Sequence, residues 1–187
     1  MADAYIEAAV DEGYERNNDF NGEKQEGFGP FQWTQNKGRR WSTAKAYLED
    51  AKERQNVTII TESLASRVIF NDKKAEEIEY TRKGKKIRIS ANKEIILSLG
   101  AFNSPQLLQL SGIGDKKTLN KYGIETIHEL KGVGENLQDH INAPIMYELN
   151  KPFTANDVFH KLHVRIGAGL NYIFNRKGLL AMGVAYA

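Results

Sequence analysis

The sequence predicts a mixed α/β fold (α+β), in which helices accompany an antiparallel β-meander and a strand of a parallel sheet. Three β-rich segments follow one another between residues 66 and 90, separated by the polar turns NDKK and RKGK. The run EIILSL at residues 94–99 is almost entirely apolar, a pattern typical of strands buried on both faces of a parallel sheet. Helical periods near both ends of the chain complete the mixed class.

The composition limits the kinds of protein that this chain can be. Its 187 residues include 26 Lys and Arg against 24 Asp and Glu, and a net charge of +2 gives no basic surface for nucleic acid. The absence of Cys excludes disulfides, thiolate metal sites and a cysteine nucleophile. No apolar stretch approaches the roughly 20 residues of a transmembrane segment, and the amino end is acidic. We therefore expect a soluble, cytoplasmic protein, with peripheral membrane association left open.

The first 51 residues are predicted to hold two helices and one strand. Apolar residues recur with a helical period over Ala4–Tyr14. Aromatic and polar residues alternate over Phe28–Thr34, which favours a strand. A second helix is predicted over Ala44–Ala51, capped by Ser42 or Thr43 after a basic loop.

The middle of the chain carries most of the β signals. Strands are predicted, in order, at Val57–Ile60, Ser66–Phe70, Glu77–Arg82, Lys86–Ser90 and Glu94–Leu99. The last of these leads through Gly100 and Ala101 into a helix at Pro105–Leu110, with an Asn or Ser cap and the proline in its first turn. A glycine-rich stop then ends that helix.

The remaining elements are shorter, apart from one amphipathic helix. We predict a helix at Lys116–Tyr122, a strand at Glu125–His128, a glycine turn at 132–134, a strand at Ala143–Leu149, a loop at Lys151–Asp157 and a helix at Val158–Phe174. The apolar face of the last helix is predicted to include Leu162, Ile166, Leu170 and Ile173. The chain stops inside an apolar run, which we interpret as the sign of a longer protein.

The junction at Gly100 and Ala101 is a candidate binding site. Backbone N–H groups point outward at the start of a helix, and small residues let a ligand approach, as nucleotides do in open α/β sheets. A plain strand-to-helix turn explains the same residues, because no G-x-G-x-x-G motif accompanies them. The residues alone leave both interpretations open.

A family resemblance bears on this choice. The string Gly100–Gly114 (GAFNSPQLLQLSGIG) resembles, almost position for position, the second signature of the glucose-methanol-choline (GMC) family of flavin-dependent oxidoreductases. Further segments resemble that family in the same order, namely Asn17–Gly22, Gly29–Thr34, Gly38–Leu48, Asn56–Ile59, Gly132–His140 and Thr154–Asp157. The resemblance covers nearly the whole chain and is greatest to bacterial choline and alcohol dehydrogenase-like members.

The resemblance implies an FAD-binding domain, with a parallel sheet and a β-meander, interleaved with a substrate-binding domain. Residues 1–43 are then predicted to belong to the substrate domain, residues 44–140 to the FAD-binding domain, and residues 141–187 to a truncated part of the substrate domain. The implied reaction is oxidation of an alcohol with hydride transfer to the flavin, with an unspecified electron acceptor. We expect the dinucleotide fingerprint, which the chain lacks, in an amino-terminal segment of the same protein.

Three residues are candidate FAD contacts on the strength of the resemblance. Val68 matches the position whose backbone meets the adenine, and Gly100 and Ala101 match the strand end beside the ADP half. Val68 is equally well interpreted as a β-branched core residue, and both roles can hold together. The family's proton-accepting His lies in a carboxyl-terminal segment that this chain lacks, so no catalytic residue is assigned and the fragment is expected to be inactive alone.

Other polar patterns are interpreted as structural. Asp139 and His140 are consecutive, so their side chains point apart, and we predict buried polar residues rather than an acid–base pair. His160 and His163 share a helix face, but two ligands without a third make a poor metal site. A non-enzymatic flavin-binding or complementation module remains the alternative function, and metal-assisted hydrolysis through these two histidines is a third hypothesis.

Overall fold

A computed structural model describes residues 2–141, 143, 148 and 160–181. The described parts of Met1–Thr58 and Ile145–Ala187 form one compact unit, which we call the discontinuous unit. Ile59–Pro144 forms the other, which we call the sheet unit. The predicted domain boundaries after residues 43 and 140 differ from these unit boundaries, and the assignment of domains to substrate and cofactor stays a prediction.

The discontinuous unit begins with the predicted amino-terminal helix. Helix α1 runs over Ala2–Asp11 and buries Ile6 completely. Phe28 packs beside it, with ring centroids 5.9 Å from Tyr5 and 5.1 Å from Tyr14. This aromatic contact brings the following loop back onto the helix.

The strand predicted at Phe28–Thr34 is wrong, because only an isolated parallel bridge between Arg16 and Phe28 forms there. A Cβ atom on Gly29 would collide with the carbonyl oxygen of Asn17, and Pro30 has no N–H to donate to a ladder. A hairpin with strands of two residues each occupies the predicted basic loop instead. Its strands are β1 (Gln35–Asn36) and β2 (Arg39–Arg40), and its turn residues Lys37 and Gly38 have φ angles of 49° and 68°.

The second helix forms where it is predicted, but with a different geometry. It begins as a π-helical segment, Ala44–Leu48, and continues as α2, Glu49–Ala51. Thr43 makes no side-chain capping hydrogen bond. Ser42 contributes its backbone carbonyl, which accepts the N–H of Ala46 at 2.9 Å. The predicted side-chain cap is therefore replaced by a backbone contact.

The sheet unit contains the predicted meander. Strands β3 (Ser63–Asn71), β4 (Lys74–Arg82) and β5 (Lys85–Ser90) pair antiparallel in the order β3-β4-β5. Each strand is longer than its sequence pattern. Asp72 and Gly84 adopt φ angles of 54° and 74° in the two hairpin turns, where short polar residues and glycine are favoured.

The strands predicted at Val57–Ile60 and Glu94–Leu99 do not form. Ile96, at the centre of the apolar run, is 74% exposed. A strand exists only through hydrogen bonds to a neighbour, and none of the residues described here pairs with either segment. The prediction of a buried parallel strand is therefore wrong for this chain, although its apolar composition is typical of one.

Helix α3 spans Gly100–Leu110 and packs against β3. It begins five residues before the predicted start at Pro105, which consequently lies inside the helix. No Asn or Ser side chain caps it, since its capping residue is Leu99. The hydroxyl of Ser104 instead accepts the N–H of Leu99 at 3.1 Å.

A short parallel pair follows α3. Strand β6 (Ile113–Gly114) pairs with β7 (His128–Glu129), so the predicted strand at 125–128 begins three residues late. Between them lies α4 (Lys116–Lys121), whose N-cap Asp115 accepts the N–H of Thr118 at 2.8 Å. That backbone hydrogen bond and a second from the Thr118 hydroxyl hold the pKa of Asp115 below its ordinary value. Helices with antiparallel and parallel pairing confirm the mixed α/β class.

The last described α-helix is α5, Leu162–Asn175, and a short 3-10 helix follows at Leu179–Ala181. The first residues of the predicted helix at Val158–Phe174 lie outside the described residues, as do most of the strand predicted at Ala143–Leu149 and the loop predicted at Lys151–Asp157. The predicted apolar face of α5 is at least half exposed at each of its four positions. No helix within the described ranges is long and apolar enough to cross a membrane.

Candidate functional site

Among the described residues of the sheet unit, helix α3 contributes to two clefts. The larger, of about 760 Å³, lies between α3 and the segment that begins with the glycine turn at 132–134. Its wall on the helix side begins at Ala101 and ends at Gln109, and its opposite wall runs from Gly132 to Gln138. Two motifs that are far apart in the sequence therefore face each other across one cavity.

The start of α3 adjoins this larger cleft, whose lining begins at Ala101. Gly100 has a φ angle of 85°, in the left-handed region that favours glycine. A Cβ atom built on Gly100 would meet no atom within 4 Å, so the backbone conformation and not crowding accounts for the glycine. Ala101 is exposed and lines the cleft. The space around both residues is open to a ligand.

The smaller cleft, of about 430 Å³, lies at the other end of α3. It is bounded by strand β3 from Arg67 to Phe70, by the last residues of α3, and by residues 123–127 after α4. Val68 lines this cleft, not the larger one. Of the three predicted cofactor contacts, Ala101 lines the larger cleft, Val68 lines the smaller one, and Gly100 adjoins Ala101 but lines neither. The two ends of α3 are about 15 Å apart at 1.5 Å per residue.

A buried serine joins the two elements that form the smaller cleft. Val68 and Ser111 are each 4% exposed, and the N–H of Val68 donates to Ser111 Oγ at 2.8 Å. The same hydroxyl donates to the carbonyl of Leu107 at 2.5 Å. Ser111 therefore ties the free edge of β3 to the end of α3 and occupies the backbone N–H of Val68. Both groups of a strand residue face the same side, so the Val68 carbonyl also points to this edge.

A charged cluster lies on the sheet beside this cleft. Glu79 on β4 is 6% exposed and sits in register between Arg67 on β3 and Arg88 on β5. Its carboxylate is 3.4 Å from Arg67 Nε and 3.3 Å from Arg88 Nε, and it accepts the Ser66 hydroxyl at 3.2 Å. Burial raises the pKa of Glu79, but the charge of Arg67 and the hydrogen bonds from Ser66 and Arg88 outweigh it, so the pKa lies below its ordinary value.

Sequence reasoning missed Ser111 and Glu79. Ser111 was interpreted only as part of a glycine-rich helix stop. Its signal is a hydroxyl side chain at the end of a helix, where it can accept a hydrogen bond from a buried strand edge. Glu79 was one of several charged residues on an alternating strand. The signal for Glu79 is its position opposite a basic residue on each neighbouring strand. That signal can be recognised only when the strand register is known.

The remaining candidate residues form no site in the described structure. Asp139 and His140 are exposed, which corrects the prediction that they are buried, and Asp139 Oδ1 accepts the backbone N–H of His140 at 2.7 Å. His160 and His163 are also exposed. Among the residues that the structure describes, no group of three or more His, Asp or Glu side chains could hold a metal ion. The two clefts are lined by apolar and neutral polar residues together with a few charged ones, which are Arg67, Arg88 and Glu125 in the smaller cleft and Glu135 in the larger.

Comparisons with known proteins agree on one family. A family model described as GMC oxidoreductase matches residues 1–142. The chain is 40% identical over 187 residues to an alcohol dehydrogenase [acceptor] of Pseudomonas putida. This match covers 99% of this chain and 34% of that protein. It is 47% identical over 155 residues to an oxygen-dependent choline dehydrogenase of Escherichia coli, covering 81% of this chain and 28% of that protein.

Solved structures resemble the chain over most of its length. An FAD-dependent oxidoreductase from Chaetomium thermophilum matches with a TM-score of 0.79 and 27% identity, over 96% of this chain and 32% of that one. A formate oxidase matches with a TM-score of 0.85 and 26% identity, over all of this chain and 33% of that one. The chain spans about a third of the length of the curated relatives that it matches.

Proposed function

Because the chain belongs to the GMC oxidoreductase family, we propose that it is part of an FAD-dependent enzyme that oxidises the CH–OH group of an alcohol. The observation that carries this proposal is the larger cleft. Its walls are the two motifs, Gly100–Gly114 and Gly132–His140, whose sequences resemble that family. Separate family-like segments that meet around one cavity are expected of a ligand site.

Our proposed cofactor contacts are Val68, Gly100 and Ala101, and the residues present fit a dinucleotide. The open space beside Gly100 and Ala101 leaves room for close backbone approach. The β3 edge at Val68 offers a backbone carbonyl toward the smaller cleft, whereas its N–H is held by Ser111. We therefore assign the carbonyl of Val68, and not its N–H, to adenine recognition. An elongated ligand along α3 would contact both ends of the helix.

FAD supplies the hydride acceptor for alcohol oxidation when it is bound. The part of this chain is to bind and orient. The residues from Ala101 to Gln109 on α3 form one wall of the larger cleft, and the segment from Gly132 to Gln138 forms the other wall. Positioning of this kind brings the reacting atoms together without a proton transfer by these residues. We assign no catalytic acid or base to the described part of the chain.

We propose an alcohol of the choline class as substrate, because curated relatives are named as alcohol and choline dehydrogenases. The electron acceptor is left unassigned, since the names of the relatives include both an acceptor-dependent enzyme and oxygen-dependent enzymes. We further propose that the remaining segments of the same protein complete the enzyme, that nucleic acid is not a partner, and that the protein is cytoplasmic. The lack of Cys and the net charge of +2 support the last two points.

A non-enzymatic flavin-binding or complementation module is the second candidate. It is favoured by the lining of the larger cleft, which includes no histidine among the described residues. A module of this kind would bind flavin without turning over an alcohol. Turnover with choline or a simple alcohol, measured by dye reduction, separates the two candidates.

FAD titration of the complete gene product tests the proposed cofactor site. Gly100→Val should place a side chain in the open space next to Ala101, which lines the larger cleft, and lower FAD occupancy about tenfold while helix content stays nearly unchanged. Gly84→Val is the matched control, since Gly84 also has a positive φ angle, of 74°, and open space, but lies in the β4–β5 turn. Equal FAD content in the two variants would contradict the site assignment.

A further inference from the structure

The side chain of Gln109 connects helix α3 to the opposite wall of the larger cleft. Its Nε2 atom donates a hydrogen bond to the carbonyl oxygen of Val133 at 3.1 Å, and the two residues are 24 positions apart in the sequence. In the part of the chain that the structure describes, no other hydrogen bond joins α3 to residues 131–138. This one amide therefore links the two walls.

The packing around Gln109 depends on two glycines. A Cβ atom on Gly134 would lie 2.9 Å from Nε2 of Gln109, and one on Gly114 would lie 3.2 Å from its Cγ. Gly134 also has a φ angle of 86°. A larger residue at either position would displace the amide from Val133. The second glycine of the Gly-Val-Gly turn thus makes room for the link, beyond its role in the turn itself.

The turn has few other hydrogen bonds to hold its shape. The N–H of Val133 donates to the carbonyl of Leu130, and the N–H of Glu135 donates to that of Gly132, both at 3.2 Å. These bonds are at the long end of the ordinary range and lie within the turn. They close the turn, and the N–H of Leu130, just before it, donates to the carbonyl of Gly114 at 3.0 Å and holds the start of the turn near the end of α3. Gln109 is the side chain that reaches from α3 to the turn itself and sets its distance there. That distance sets the width of the larger cleft.

We propose that Gln109 is the positioning residue that fixes the wall of the larger cleft, and with it the affinity for the dinucleotide that the cleft takes. The ligand half of this inference rests on the proposed function. The essential group is a donor at the Nε2 position, because the partner is a carbonyl oxygen. A carboxylate at this position would face that oxygen without a proton, whereas a protonated carboxyl would donate again.

The test uses Gln109→Glu with Gln106→Glu as matched control. Gln106 lies on the same helix, is exposed, lines the same cleft and makes no hydrogen bond to the turn. Hydrogen exchange of the Val133 and Glu135 amides reports the turn without any ligand. At pH 7 we expect about tenfold faster exchange in Gln109→Glu than in the parent chain and no change in Gln106→Glu. At pH 4, after correction for intrinsic rates, exchange in Gln109→Glu should return to within about twofold of the parent.

The outcomes separate the inference from the proposed function. Unchanged exchange in Gln109→Glu, or equal acceleration in both variants, overturns the positioning role. The FAD dissociation constant of the complete gene product should rise about tenfold more in Gln109→Glu than in Gln106→Glu, because both variants add the same charge to the cleft and only the first loses the hydrogen bond to Val133. If Gly100→Val weakens FAD binding and Gln109→Glu does not, the ligand half of the inference is overturned and the proposed function stands. If neither weakens it, the cofactor site is misassigned and that half fails with it.

Discussion

Replacement of Ser111 by Ala should destabilise the sheet unit by about 1–3 kcal/mol, because it removes the acceptor for a buried backbone N–H. Val68 is a strand residue that is only 4% exposed. Water therefore does not readily replace Ser111 Oγ as the acceptor for its N–H. The Leu107 carbonyl is less affected, because the backbone N–H of Ser111 still donates to it at 3.0 Å. The expected loss is therefore that of one unsatisfied buried donor.

Urea denaturation followed by circular dichroism measures this loss. With a denaturant slope of about 2 kcal/mol per molar, a loss of about 2 kcal/mol moves the midpoint down by about 1 M. Ser104→Ala is the matched control on the same helix, since its hydroxyl accepts the N–H of the partly exposed Leu99 and water can take its place. We expect about 0.5 kcal/mol or less for the control.

Two further measurements isolate the hydrogen bond from packing. Ser111→Cys preserves most of the volume but offers only a weak acceptor, so it should lose nearly as much stability as Ser111→Ala. The Val68 amide should also exchange faster with solvent in both Ser111 variants. The reasoning is refuted if Ser111→Ala shifts the midpoint no more than Ser104→Ala does, or if the Val68 amide keeps its protection.

The remaining predictions concern pH, the histidines and the isolated chain. The pKa of Glu79 lies below its ordinary value of 4.5, so its ion pairs stabilise the fold fully above pH 4.5 and are lost as the pH falls through the lower folded pKa. The stability difference between the parent and Glu79→Gln should therefore shrink over that acid range. Urea titrations at stepped pH measure it. His160→Ala with His163→Ala should leave activity of the complete gene product within about twofold, since both side chains are exposed, and loss of activity with an intact circular dichroism spectrum would contradict this. The 187-residue chain by itself should bind FAD only weakly and reduce no dye with an alcohol, and saturable one-to-one binding at micromolar affinity in isothermal titration would disprove it.

Local patterns predicted the elements that are stabilised by near neighbours. The meander is confirmed because its strands are joined by short turns, with Asp72 and Gly84 in conformations that their residue types favour. Helix α1 forms over nearly the predicted residues, and α4 forms within its predicted range of Lys116–Tyr122. The resemblance in the segment Gly100–Gly114 identified the family correctly.

Strand predictions failed where the signal was apolar composition without a nearby partner. Glu94–Leu99 has the composition of a buried strand, but burial and pairing come from a neighbouring strand that its own residues do not specify. Phe28–Thr34 has the alternation of a strand, but Gly29 lies against Asn17 and Pro30 lacks a donor. The apolar stripe of α5 has the spacing of a core face, yet all four of its positions remain at least half exposed.

The sequence by itself determined the fold class, the family, and the residue types at the hairpin turns of this protein, whereas both predicted side-chain caps were wrong. Only the tertiary structure decided that Ser111 holds Val68 across 43 positions, that Gln109 holds Val133 across 24, and that Glu79 lies in register between Arg67 and Arg88. Propensity and periodicity act over one or two turns of chain, whereas a hydrogen bond or ion pair between distant segments depends on how those segments pack. The two clefts arise from such contacts, because helix α3 and the segments facing it meet only after the chain has folded.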